Sequence, residues 1–198
     1  MRFVAPGADD PYYEVHLFET GRVQTRPDNW HDLFNALAWL AFPRTKARIN
    51  ALHAAEIPNE RDKGGGRRGR RRDMLTIFDE GGAIVAGDAA TEALVRGARW
   101  RELFAGHASR FRIVVLGHAV MEQALAPHPR ITCKVVFADP ARGLDEQAAA
   151  ILPGIPTPKE LPPLPVFGYP GWLPESGDPA FYDDARWFRP ARAAQGVK

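Results

Sequence analysis

Thirteen of the chain's eighteen prolines lie beyond residue 126, and this placement limits the fold more than any other feature. Proline fixes φ and carries no amide hydrogen, so it interrupts helices and central strands. Regular elements must come mainly from the residues before it, and "LPPLPVFGYPGWLPES" reads as an extended strap. Leu161, Leu164, Val166, Phe167, Tyr169 and Trp172 give that strap an apolar face that packs along the domain. A chain of 198 residues can bury a core without disulfide or metal staples. Residues 1–190 are therefore read as one domain and 191–198 as a loose tail.

The single cysteine, Cys133, excludes a disulfide framework and a thiolate zinc cluster within one chain. No run approaches the roughly 18 apolar residues of a membrane span, and the N-terminus lacks the apolar core of a signal peptide. A cytoplasmic protein with no membrane partner is expected. The net charge of +2 hides one strongly basic stretch, residues 60–73, with seven Lys or Arg against three acids. Residues 60–72 are read as a flexible Gly/Arg loop, because such a composition cannot build a core alone.

Periodicity divides the rest. "YYEVHLFETGRVQT" alternates loosely around Gly21 and is expected to form a hairpin. "NWHDLFNALAWLAF" is a helix capped by Asp28 or Asn29, with Trp30, Leu33, Phe34, Leu37, Leu40 and Ala41 as its core face. Pro43 opens a second helix. "DMLTIFDEGGAIVAG" reads as another hairpin turning at residues 79–82. Asp88 caps a helix reaching about Phe104, "FRIVVLGHAVMEQAL" passes from strand to helix at Gly117 and His118, and "ITCKVVF" alternates as a strand. The fold class expected is α+β: short antiparallel hairpins, about six strands and five helices, and the proline-rich C-terminal strap.

Two polar groups on apolar elements invite chemistry. His31 and Asn35 are four apart on one helix and share a face, with Asp32 beside Asn35. His118 and Glu122 are spaced alike on another helix. Neutral imidazole binds metal or accepts a proton, so His31, Asp32, Asn35, His118 and Glu122 are candidate catalytic residues, and His31 and His118 candidate ligands for a divalent metal. Asp79 and Glu80 at the expected turn add carboxylates. None of HExxH, Cys-x-x-Cys, GxGxxG, a Walker loop or GxSxG occurs. Each group also has a plain structural use: Asp32 at a helix start, His118 as a hydrogen-bonded core residue, and Asp79 with Glu80 as turn residues.

The blocks "TRPDNWHDLFNALAWLAFPRTKARIN", "RRDMLTIFDEGGAIVA", "WRELF", "LGHAVMEQAL", "LPVFGYPGW" and "FYDDARWFRPAR" together resemble a bacterial family catalogued as domain of unknown function three thousand and twenty-five. The resemblance covers nearly the whole chain and brings no activity with it. It points to Asn29, Trp30, His31, Asp32, Phe34, Asn35, Arg72, Asp73, Asp79, Glu80, Gly117, His118 and Glu122, and so adds Arg72 and Asp73 to Asp79 and Glu80 as candidate binding residues. Relatives are expected to begin upstream of Phe3 and Val4, so a covering N-terminal segment is expected to be missing here.

Three functional readings stand. The first is an uncharacterised metal-dependent hydrolase with a His/carboxylate site acting on a small molecule. The second is a module binding phosphate-bearing ligands, or less favourably nucleic acid, through Arg67, Arg68, Arg70 and Arg71, since guanidinium forks suit phosphate oxygens. The third is a non-catalytic interaction protein whose polar helix residues only fix packing.

Overall fold

The computed structural model describes residues 1–7, 12–62 and 69–190, without the side chains of 58–62. At its centre is a sheet of β3 (Gly82–Ala86), β4 (Arg112–Val115), β5 (Cys133–Ala138) and β6 (Pro163–Leu164), in the order β4-β3-β5-β6. β3 runs parallel to β5 and antiparallel to β4, with Ile84 opposite Val136 and Val114. Every residue of β3 is buried, as a strand covered on both faces requires. Alternate residues serve two cores. Ala83, Val85, Cys133 and Val135 join Phe104, Phe111 and the C-terminal aromatics. Ile84, Val136 and Ala138 join Met74, Leu75, Phe78 and Leu152.

The helices are α1 (Tyr13–Thr20), α2 (Trp30–Ala41), α3 (Pro43–Asp62), α4 (Arg70–Gly81), α5 (Ala89–Arg96), α6 (His118–Gln123) and α7 (Leu144–Ile151). The α+β class stands, and the proline-rich strap is present, folded into short 3-10 turns and β6 where an extended run was expected; it packs through Leu161, Leu164, Val166 and Phe167, while Trp172 is exposed. No helix among the described residues is long and apolar enough to cross a membrane.

Both expected hairpins are replaced by helices. Residues 13–20 form α1, whose inward residues His16 and Leu17 lie three and four beyond Tyr13, a helical spacing. Gly21 takes φ 65° and donates its amide to Leu17 O, so it ends a helix and is not a hairpin turn. The returning strand, β2 (Arg22–Gln24), pairs in parallel with β1 (Arg2–Val4). The second expected hairpin is α4 followed by β3, and Met74, Leu75 and Phe78 are its core face. Arg70, Arg71 and Arg72 thus belong to a helix and not to the basic loop, while Arg67, Arg68 and the 191–198 tail lie outside the described residues. The helix from Asp88 stops at Arg96 instead of reaching Phe104, and a separate π turn follows over Glu102–Gly106.

The orientation of α2 is the largest correction. Its expected core face is on the outside: Trp30, Leu33, Leu37 and Leu40 are 57, 44, 46 and 63% exposed. Asp32, Ala38 and Trp39 are buried instead, with Trp39 packed against Leu17, Val23 and Tyr13.

Candidate functional site

With that apolar face outward, the polar residues of α2 point into the molecule, where α1, α3, α4 and α6 surround them. A cavity of about 350 Å³ opens between these helices, lined by Glu14, His31, Asn35, Asp79, Glu80 and His118 among others. Asn29 caps α2 by accepting the Asp32 amide at 3.0 Å, which fixes where the first turn begins and hence where His31 lies. α6 starts on Gly117, where an added Cβ would stand 2.6 Å from Glu80 O, Gly81 Cα and Gly82 N. Only a residue without a side chain lets α6 approach the end of α4 this closely.

His31 and His118 meet in the cavity wall, Nε2 to Nε2 at 3.0 Å, with rings 4.4 Å apart and nearly perpendicular. His31 Nδ1 lies 2.9 Å from Glu122 Oε2. An ionised carboxylate only accepts hydrogen bonds, so His31 carries its proton on Nδ1 and turns the Nε2 lone pair toward His118. The two side chains of that ion pair are 36 and 43% exposed, which leaves the pair open to solutes. His118 is enclosed, and burial pulls its pKa from 6.5 to about 4 against the attraction of Asp79. Its ring is therefore neutral near pH 7. His118 Nδ1 has no hydrogen-bond partner and faces Asp79 Oδ2 at 3.6 Å.

Asp79 sits in the last turn of α4, where the helix dipole disfavours an acid. Lys46, itself 3% exposed, compensates: its Nζ lies 2.5 Å from Asp79 Oδ1 and 2.8 Å from Asn35 Oδ1. Burial pushes the Asp79 carboxyl up, but Lys46 and His118 outweigh it and hold the pKa below the ordinary range. Asn35 continues the chain by donating to Tyr13 OH at 3.3 Å. Across the cavity, burial raises the Glu14 carboxyl, and the Asp79 charge adds to that shift, although Asn50 donates to Glu14 Oε2 at 2.7 Å.

His31, Asn35, His118 and Glu122 are thus brought together, with Asp79 and Glu80 beside them. Asp32 lines the cavity too, but its oxygens are spent on Arg26, whose backbone amide, Nε and Nη2 donate at 2.7, 2.8 and 2.8 Å. Asp73 is exposed on the first turn of α4 and does not line the cavity. Arg72 is buried and donates to Tyr12 OH at 2.7 Å, while Arg71 pairs with Glu56 and Pro153 O. Arg72, expected to supply a binding site, is therefore committed inside the fold, and Arg71, expected to meet phosphate, is half-buried and turned toward Glu56 and Pro153. No group of three His, Cys, Asp or Glu placed to hold a metal occurs among the described residues. His31 and His118 supply two convergent nitrogens only.

Sequence reasoning missed Glu14 and Lys46. Glu14 was hidden by the strand reading of residues 12–18. Lys46 carried no local signal, since it lies between Arg44 and Arg48 at the start of a polar helix and nothing near it named Asp79 as its partner.

The model of a family described as protein of unknown function, DUF3025, matches residues 1–192. Neither a curated protein nor a solved structure matches the chain.

Proposed function

The chain belongs to the DUF3025 family, whose description names no reaction, and from the cavity itself we propose that it is a hydrolase working by general acid–base chemistry on a small, polar, uncharged substrate. The observation that carries this reading is the Glu122–His31–His118 relay, in which a carboxylate orients one imidazole and a second, neutral imidazole meets its free nitrogen. In this reading a water displaces His118 from His31 Nε2, attacks an acyl carbon and passes its proton to that freed nitrogen, while Glu122 stabilises the resulting imidazolium through Nδ1. The bond to the leaving group breaks, and Glu14, whose carboxyl burial shifts upward and which lines the cavity, supplies the proton that the leaving group takes up. Among the described residues around the cavity, Lys46 is paired with Asp79 and Arg26 with Asp32, which favours an uncharged substrate over an anion.

The test is a panel of chromogenic esters and amides. His31→Ala should lower turnover by about 10²–10⁴-fold, the usual contribution of a positioned base. Glu14→Gln should remove the alkaline limb of the pH profile. Turnover unchanged in His31→Ala would overturn the reading. One observation favours a second reading: both Nε2 atoms converge while both Nδ1 atoms face carboxylates, an arrangement familiar around metal-bound histidines. A first-row divalent cation held there would make turnover sensitive to a chelator, whereas acid–base chemistry leaves it insensitive.

A further inference from the structure

Tyr13 lines the cavity beside His31 and Asn35, and the reaction above gives it no part. Its ring is half-buried against Leu17, Val23 and Trp39, which hold it where α1 begins. Its hydroxyl ends a chain of groups that starts on a buried charge. Lys46 has only donors to offer, so its Nζ, 2.8 Å from Asn35 Oδ1, fixes which way the Asn35 amide faces. Asn35 Nδ2 is thereby turned to Tyr13 OH, which accepts from it at 3.3 Å. The hydroxyl's own hydrogen is taken by no acceptor among the described residues. Burial raises the phenol to about 12 against the pull of Asn35, so that hydrogen stays on the oxygen at neutral pH. A hydroxyl held in this way donates into the cavity.

Resting on the hydrolase reading, we propose that the Tyr13 hydroxyl holds the carbonyl oxygen of the substrate and stabilises the negative charge that collects there as water adds. Asn35 lies one helical turn from His31 on the same face of α2, a spacing of about 5–6 Å between their Cβ atoms. The hydroxyl bonded to Asn35 therefore stands a short gap from the His31 imidazole. An acyl group bridges such a gap with its carbon toward the base and its oxygen toward the donor. When the water oxygen bonds to the acyl carbon, its proton passes to His31 Nε2 and the C=O π pair moves onto oxygen. Tyr13 donates a hydrogen bond to that oxyanion and keeps its proton. The pair returns as the bond to the leaving group breaks, the leaving group takes its proton from Glu14, and solvent restores Glu14 and His31. The Lys46 ammonium strengthens the donor through Asn35, since hydrogen bonds in a chain polarise one another.

The test uses the whole chain and the ester or amide of the panel that it turns over fastest. Tyr13→Phe keeps the ring and its packing, and should lower kcat by about 10²–10³-fold, the loss of one oxyanion donor, with KM nearly unchanged. Sulfur accepts hydrogen bonds weakly, so the thiono analogue of the same substrate, with C=S in place of C=O, should lose far less on that substitution. A merely structural role would lower both alike. Asn35→Asp places a carboxylate that accepts the Tyr13 hydrogen, so it too should lower kcat, and it serves in the comparison where Tyr13→Phe misfolds by circular dichroism. Activity lost in His31→Ala but kept in Tyr13→Phe or Asn35→Asp, or equal losses for the substrate and its thiono analogue, would overturn the proposal and leave the hydrolase reading standing. A wild-type chain that hydrolyses nothing in the panel would overturn both.

Discussion

Replacing Asp79 by asparagine isolates the interaction on which the floor of the cavity depends. The substitution keeps the shape and one acceptor oxygen but leaves the Lys46 ammonium, 3% exposed, without its counter-charge. At 2.5 Å and an effective dielectric constant of about 20, the direct attraction is about 7 kcal/mol. Desolvation of both groups offsets much of this, and removing one partner of a buried pair costs roughly 3–5 kcal/mol. Asn35 still accepts from Lys46 at 2.8 Å, and Trp39 lies under the ammonium at 5.6 Å. The expected cost is therefore at the lower end, about 3 kcal/mol. In a chain of this length that lowers Tm by roughly 6–12 °C. Urea denaturation should show a lower midpoint with an unchanged slope. The double variant Lys46→Met/Asp79→Leu should lose less than the sum of its single variants, because neither charge is then stranded. The Asp79 pKa is depressed in the folded chain, so its stabilisation is full above the ordinary carboxylate pKa of 3.8 and fades as pH falls through the folded value. The difference between wild type and Asp79→Asn should shrink in acid accordingly. An Asp79→Asn cost below about 0.5 kcal/mol, or strictly additive single costs, would refute the account of a buried, coupled pair.

His118 gives an independent pH signature. Its folded pKa of about 4 lies below the ordinary 6.5, so the unfolded chain binds the extra proton between these values. Stability from the neutral ring is full above pH 6.5, declines as pH falls, and levels off below about 4, a total near 3 kcal/mol. Denaturation of His118→Gln should lack that slope, and an unchanged slope would assign it elsewhere. Gly117→Ala should cost more than about 3 kcal/mol, since its Cβ would meet three backbone atoms at 2.6 Å. A circular dichroism melt near the wild-type Tm would show that α6 can shift away.

What the sequence determined by itself is local. The start of α2 and its Asn29 cap, the passage from β4 into α6 at Gly117, the inward alternation of Ile131, Cys133, Val135 and Phe137, and the proline strap all follow from cap chemistry, period and missing donors. So did the polar residues of the cavity, because a histidine and an amide on an apolar helix need partners. What only the tertiary structure decided is orientation and pairing. Gly21, at positive φ, ends a helix as readily as it turns a hairpin, and Gly82 is glycine because a side chain would run into Phe78, so α1 and α4 were hidden behind residues whose identity does not name the geometry. The stripe from Trp30 to Leu40 states that a face is apolar but not what covers it, and packing of Trp39 on Leu17 and Val23 turned it outward. The cavity joins Lys46 to Asp79 and His31 to His118, partners 33 and 87 residues apart. No local pattern encodes such distances, because they are set by how five helices settle against one another once the cores on the sheet have formed.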